Sequence, residues 1–480
     1  MRNAVQLICY ADRLGGTLRG LRHLLCGPFE GLFGGVHLLP FFHPIDGADA
    51  GFDPIDHTQV DERLGSWEDV QALAQDVDVM ADVIVNHVSS HSPQFLDYSA
   101  HGEHSEYAGM FLTLGSVFPH GATEQELLAI YRPRPGLPFT PMTLADGGRR
   151  ILWTTFTAEQ IDINVAHPAG MRHLEDILAI LSRNGVRLIR LDAVGYAVKR
   201  AGGSCFMMDE TFQFIGAFSA RAHALGLQVL VEIHSHHGLQ IEIARQVDWV
   251  YDFALPPLVL HAFLAGTAAH LKHWIAIRPT NSLTVLDTHD GIGVIDIGAD
   301  SHDPDTRKGL VADEGIERLV QQIHANSRGE SLRATGAAAS NLDLYQVNCT
   351  FYDAIGRDDL RYLLCRAIQF FLPGIPQVYY VGLLAGGNDM ALLARTQVGR
   401  DINRHHYTRG EIAEALTRPV VCDLLELIRL RNTHPAFQGE FTLRPSDADV
   451  LDMGWCQAEA GVRLRVNLRT GEHVIEVSSA

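Results

Sequence analysis

Short apolar runs recur along the chain without polar alternation, and several end abruptly in polar residues. They cover residues 5–9, 35–39, 82–85, 186–191, 229–231, 249–251, 283–286 and 375–380. Between many of them lie stretches of helical period, at 67–75, 171–184, 211–225, 257–277 and 359–371. A strand covered by helices on both faces needs no polar side, so these runs read as buried parallel strands. Eight such strands alternating with helices predict an α/β chain closed into a (β/α)₈ barrel.

Two spacings are too long for ordinary strand-to-helix loops. After Val88 the pattern breaks into Gly, Pro, His and Ser with scattered aromatics until about Thr155, which predicts an inserted domain after the third strand. A second insertion runs from Gly291 to Gly356 and contains the small-residue stretch from Gly336 to Ser340. Insertions of that length usually build one rim of a site. Past about Asn432, residues 450–456, 461–468 and 473–477 alternate like antiparallel strands. The expected organisation is a barrel over 1–87, 156–290 and 357–434, insertions at 88–155 and 291–356, and a small β domain at 435–480.

A 480-residue chain exceeds one simple core, which agrees with this division. Acidic residues outnumber basic ones, 57 to 38, for a formal net charge of -19. Such a surface repels nucleic acid and anionic membrane, so neither is an expected partner. The seven cysteines are scattered and form no C-x-x-C pair, which points to a reducing compartment rather than a disulfide framework. The chain enters its first strand almost directly, with no secretory signature, and a cytoplasmic location is expected.

Candidate chemistry follows from where catalytic groups sit in such barrels, at the C-terminal ends of strands. Those ends read Asp82 to His87, Arg190 to Asp192, Glu232 to His234, and Asp287 to Asp290. One acidic residue after a strand is commonly a helix cap. Three of them, Asp192, Glu232 and Asp290, each with a His or Arg nearby, suggest a shared mouth. Glycosyl transfer with retention uses such a set: one ionised carboxylate attacks the anomeric carbon and one protonated carboxyl serves the leaving oxygen. Arg190 precedes Asp192 by two residues, so strand alternation puts both on one face. A guanidinium there is expected to hold Asp192 ionised, as a nucleophile requires. Glu232 ends an apolar run, and partial burial suits a general acid. Asp290 has no bond-making duty and would stabilise oxocarbenium charge.

These strand-end stretches resemble the conserved regions of the α-amylase superfamily, and more closely those of its sucrose phosphorylases. Further matching runs at 6–15, 47–57, 131–139, 342–346 and 399–404 extend the resemblance over nearly the whole chain. It implies a β-glucosyl ester on Asp192, with Glu232 as acid/base and Asp290 as transition-state stabiliser. It places Asp49, His87, Arg190, His289 and Arg400 around the glucosyl ring, with Phe52 and Phe156 as an apolar platform. Arg134, His234, Leu344 and Tyr345 would form the phosphate side, and Asp343 and Gln346 the fructose side. The implied partners are sucrose, inorganic phosphate, fructose and α-glucose 1-phosphate, with no cofactor or metal, in a homodimer. Two features depart from the usual pattern. The C-terminal β region closes early, at Ala480, and His236 and His237 stand where aromatic residues are commoner.

Other readings remain open on the residues. Related phosphorylases take sucrose 6′-phosphate, glucosylglycerol or glucosylglycerate with the same carboxylates. An α-glucosidase would use water, although Arg134 and Tyr345 favour an anion. A catalytically dead binding scaffold would not need all three carboxylates. A metal-dependent amidohydrolase would need His ligands on several strands, and the run from His234 to His237 offers imidazoles but no cysteine or carboxylate to complete a spaced ligand set.

Overall fold

A computed structural model describes residues 1–47, 49–133, 136–145, 147–300, 303–338 and 346–478. Eight parallel strands close a barrel in simple chain order. They are β1 (Gln6–Cys9), β2 (Gly35–Leu38), β3 (Asp78–Ile84), β4 (Val186–Asp192), β5 (Gln228–Val231), β6 (Trp249–Asp252), β7 (Ser282–Thr284) and β8 (Ile375–Tyr379). β8 pairs back onto β1, with Leu7 opposite Val378. Helices such as Trp67–Asp76, Pro168–Arg183, Asp209–Ala224, Asp359–Phe371 and Pro419–Thr433 lie between or after the strands. Every residue of β3 is buried, as is every residue of β8, which is why these strands carry no polar alternation.

The expected elements appear with three differences. The helical period over 257–277 is two helices, Leu255–Ala265 and Ala269–Ile277, because Gly266 takes a left-handed φ of +61° and caps the first. β7 stops at Thr284, short of the apolar run's end at Leu286. Its partner there is Pro376, which has no N–H to extend the ladder. The C-terminal sheet has four antiparallel strands, because β9 (Glu440–Leu443) joins β10 (Val450–Gln457), β11 (Ala460–Asn467) and β12 (His473–Ser478). β9 alternates too briefly to read from sequence alone.

Between β3 and Pro168 the chain forms short helices and an antiparallel pair, Phe139–Thr143 with Arg149–Trp153. Leu112, Phe118, Ile130, Trp153 and Cys205 make an apolar cluster of their own there. Between β7 and β8 lie the helices Asp313–Asn326 and Glu330–Ala338, and the second takes in the start of the Gly336 run. The rest of that run, Ala339 and Ser340, lies outside the described residues. Among the described residues no helix is long and apolar enough to cross a membrane.

Candidate active site

β3, β4 and β5 lie side by side, and their register decides what meets at the mouth. Arg190 of β4 stands opposite Asp82 of β3 and Leu230 of β5. Its guanidinium is buried and its Nη1 donates to Asp82 Oδ1 at 2.5 Å and to Asp192 Oδ1 at 3.0 Å. Nη2 lies 3.7 Å from Glu232 Oε1. One cation thus ties the ends of three adjacent strands together. Asp82 is held from below by His37, whose Nε2 is 3.1 Å from Asp82 Oδ2, and Tyr251 reaches the other ring nitrogen of His37 at 3.2 Å.

Asp192 ends β4, and Ala193 immediately after it takes a φ of +53°. For a non-glycine residue that conformation costs on the order of 1 kcal/mol. The turn carries the chain away from the mouth and leaves the Asp192 carboxylate facing the cavity. Glu232 follows β5 directly. Asp290 sits six residues past the end of β7, on the loop rather than on the strand. The acidic run there divides its labour: Asp287 is a scaffold group, bound at 2.6 Å by the buried guanidinium of Arg366. Asp290 instead meets Arg400 Nη1 at 2.9 Å, with Arg404 Nη2 at 3.9 Å.

A cavity of about 800 Å³, including its open mouth, is lined by Asp192, Glu232 and Asp290 together with Asp49, Phe52, His87, Phe156, His234, His289, Gln346 and Arg400. Eleven of the sixteen residues proposed from sequence therefore converge on one cavity, and Arg190 lies beneath it in contact with Asp192. Arg134, Asp343, Leu344 and Tyr345 lie outside the described residues. Phe52 stacks on His289 with centroids 4.8 Å apart and planes 9° from parallel. His87 donates from Nε2 to the Phe52 carbonyl at 3.0 Å, which makes Nδ1 an acceptor in the neutral ring. Arg400 Nη1 also approaches Asp49 at 3.5 Å, and its Nη2 donates to Gln346 at 3.4 Å.

The charges are strongly displaced. Burial pushes the imidazoles of His87 and His289 down, His289 to about 3, so both are neutral near pH 7. Burial opposes the charge on Asp290, but Arg400 foremost, with His234 and Arg404, holds its carboxyl well below the usual range. Asp192 goes the other way from the sequence-based expectation. Burial pushes it up, the charges of Glu232, Asp82 and Asp290 add to that, and Arg190 only opposes it in part. The reason is visible in the contacts: Arg190 divides its charge among Asp82, Asp192 and Glu232. Asp192 and Glu232 face each other across one guanidinium, and the charge of Glu232 works against ionising Asp192. Arg190 lies nearer Asp192 than Glu232, at 3.0 Å against 3.7 Å.

The His234–His237 run does not converge on one point. His234 Nδ1 meets Asp296 at 2.9 Å, His236 Nε2 donates to the Lys308 carbonyl at 2.9 Å, and His237 packs edge-on against Trp274. Glu232, His234 and Asp290 do bring one potential ligand atom each within 4.8 Å of one another. Asp290 in that group is already neutralised by Arg400.

Tyr196 and Phe206 line the cavity and were not foreseen from sequence. Their rings lie 4.7 Å apart and connect Phe156 to Tyr131. Scattered aromatics in loops carry no period, so nothing in the sequence singled these two out. Asp296 was missed for the same reason.

Comparison with known proteins agrees with this geometry. Residues 31–226 match the family model described as alpha amylase, catalytic domain. The chain is 58% identical to a sucrose phosphorylase of Agrobacterium vitis, covering 100% of this chain and 98% of that protein. It is 56% identical to a sucrose phosphorylase of Bifidobacterium adolescentis, covering 95% of this chain and 90% of that protein. The crystal structure of a sucrose 6F-phosphate phosphorylase from Thermoanaerobacter thermosaccharolyticum superposes with a TM-score of 0.91 at 36% identity, over 100% of this chain and 97% of that one. Barrel, carboxylate cluster and full-length identity together place the chain in the sucrose phosphorylase family of the α-amylase superfamily.

Proposed function

We propose that this protein is an enzyme that takes sucrose and inorganic phosphate to α-glucose 1-phosphate and fructose. The observation that carries the reading is the Asp192, Glu232 and Asp290 cluster around one cavity, in a chain 58% identical to a sucrose phosphorylase from end to end. In this reading Asp192 Oδ2 attacks the anomeric carbon while Glu232 gives its proton to the departing fructose oxygen. The C1–O bond to fructose breaks as the ester bond to Asp192 forms, inverting the centre once. Phosphate then attacks the same carbon, and Asp192 leaves as carboxylate. The second inversion restores the α configuration. Asp290, held ionised by Arg400, stabilises the positive charge that develops on the ring in both steps.

The residues around the cavity have matching tasks. Phe52, fixed by its stack on His289, and Phe156 offer apolar faces to the sugar. Neutral His87 and His289 can hydrogen-bond hydroxyls without adding charge, and Asp49 and Arg400 take others. Gln346, with Asp343, belongs to the fructose side; Arg134, Leu344 and Tyr345 belong with His234 to the phosphate side. Water at about 55 M outnumbers millimolar phosphate by roughly 10⁴, so selectivity for phosphate needs about 5.5 kcal/mol at 1.4 kcal/mol per tenfold. Charge-assisted hydrogen bonds from Arg134 and His234 are of the strength required. The same reading takes the enzyme to be a cytoplasmic homodimer, supported by seven free cysteines and by the family resemblance.

The solved relative that acts on sucrose 6F-phosphate makes the donor the point to test. Release of glucose 1-phosphate should be measured with sucrose, sucrose 6′-phosphate, glucosylglycerol and glucosylglycerate, with and without phosphate. Sucrose should give the highest kcat/KM, and release should require phosphate. A preference for another donor, or sucrose cleavage that ignores phosphate, would reject the assignment.

A further inference from the structure

His234 stands just past β5 and lines the cavity beside Glu232, with its Nε2 3.7 Å from Glu232 Oε1. Its ring is clamped. It stacks on Phe253 with centroids 3.8 Å apart and planes 14° from parallel. On the side away from Glu232, Nδ1 meets Asp296 Oδ2 at 2.9 Å. Asp296 is fully buried, and its second oxygen accepts from the backbone N–H of Ser235 at 3.2 Å and from Gln240 Nε2 at 3.0 Å. Both carboxylate oxygens are therefore engaged, and the group has no room to turn. No part of the sugar chemistry proposed above uses Asp296.

We propose that Asp296 is the positioning residue of the phosphate side, fixing the His234 ring with Nδ1–H turned inward and Nε2 presented to the incoming phosphate. The inference rests on the phosphorylase reading of the site. A carboxylate oxygen at hydrogen-bond distance requires a proton on Nδ1, because two lone pairs would otherwise face each other. In neutral His234 this leaves Nε2 as an acceptor, which offers no hydrogen bond to an anionic phosphate oxygen. Only the imidazolium donates from Nε2 while keeping its bond to Asp296. The charges facing the ring when phosphate arrives favour that form: Asp296 behind it, with Asp290 and Glu232 in front, the latter having given its proton to fructose, and Arg190 and Arg400 already paired to those two. Burial by itself would drive the imidazole to lose its proton, yet the Asp296 charge and hydrogen bond, with Glu232 and Asp290, raise His234 above the ordinary histidine value. Phosphate then meets a cation whose direction is set before it arrives, an arrangement that lowers the cost of ordering on binding.

The test is Asp296→Asn, which keeps the shape and an acceptor for Nδ1–H but removes the charge. The KM for phosphate should rise at least about tenfold, while sucrose hydrolysis without phosphate changes far less. The fall of kcat/KM for phosphate with rising pH should begin at a lower pH in the variant, because His234 then loses its proton sooner. Phosphate's own ionisation is common to both proteins and cancels in the comparison. In a His234→Gln background the Asp296→Asn change should add little. Equal losses in phosphorolysis and hydrolysis, an unshifted pH profile, or additive losses in the double variant would overturn the role. If the variant fails to fold, ¹⁵N-histidine NMR of the unmutated protein decides, with the His234→Gln spectrum as assignment. A protonated Nδ1 and a ring titrating above 6.5 support the inference, and a bare Nδ1 overturns it. An unmutated protein that forms no glucose 1-phosphate would count against the phosphorylase reading instead, since the NMR result does not depend on turnover.

Discussion

Arg190 is the residue on which the chemistry turns. Its position two residues before Asp192 could be read from sequence as a same-face pair, and the structure keeps that placement and sets Asp82 opposite it. What could not be read was how many acids share it. Asp82 looked like one more strand-end residue, yet it takes Arg190's shortest contact and so weakens the cation's hold on Asp192. Charge balance across neighbouring strands depends on distances that no spacing rule encodes. Glu232, 3.7 Å from the same guanidinium, is the proton donor of the proposed mechanism, and this leads to a test. Glu232→Gln removes the proton but preserves the shape, so turnover of sucrose should fall by about 10³-fold. A glucosyl donor whose leaving group needs no protonation should still glucosylate Asp192 at a rate within about tenfold of the unmutated protein's. Rapid-quench measurement of both donors checks this, and equal losses would show that Glu232 only binds.

At the level of elements, the barrel was legible because buried parallel strands leave an unmistakable signature: apolar runs, helical spacers, polar ends. Strand β7 shows where that signature overreaches. Its apolar run continues to Leu286 and those residues are buried, but the ladder ends where Pro376 offers no N–H. Burial and pairing part company there, which lets Asp290 stand on a loop that can reach Arg400. The helix break at Gly266 was hidden because Gly is tolerated inside a helical period, and only its φ reveals the stop. The aromatic group joins Tyr131 of the first insertion to Tyr196 and Phe206 of the connection after β4, and could be seen only once the two segments met. Two glycines separate strain from collision. At Gly266 an added Cβ would meet nothing nearer than Arg469 Cβ at 3.4 Å, so Gly266→Ala should cost about 1 kcal/mol for its left-handed φ. At Gly374, with φ of +113°, the Cβ would lie 2.3 Å from the Ser282 carbonyl where β7 meets β8. Gly374→Ala should therefore cost at least about 3 kcal/mol, a size reserved for such collisions. Scanning calorimetry should show the larger drop in Tm for Gly374→Ala, and equal drops would contradict the packing described at that seam.

For the molecule as a whole, burial of histidine sets a pH dependence of stability. His57 is buried under the site, donates to the Asp82 carbonyl at 3.0 Å, and is pushed by burial from 6.5 to about 4. Its folded value lies below its unfolded one, so the stability it allows is full above 6.5 and is lost as pH falls toward 4. At pH 5 that loss is about 2 kcal/mol, at 1.36 kcal/mol per unit. A His57→Gln protein keeps a donor but does not titrate. It should be the less stable of the two at pH 7, and the gap should narrow by about that amount by pH 5. Denaturant titrations at the two pH values read this directly, and a constant gap would mean that His57 takes up its proton as readily in the fold as in the unfolded chain. The acidic surface, at a formal charge of -19, adds self-repulsion that eases on acidification in both proteins and so drops out of the comparison. In the proposed mechanism the whole barrel assembles a nucleophile on β4 that would carry glucose between two acceptors. A 2-fluoro-glucosyl donor with a good leaving group slows the second step more than the first and traps the ester. Peptide mass spectrometry after brief exposure should find one added 2-fluoroglucosyl group on the peptide containing Asp192, and phosphate should discharge it as the α-configured 2-fluoroglucose 1-phosphate. A label on another residue, or release of the β-configured phosphate, would contradict the account.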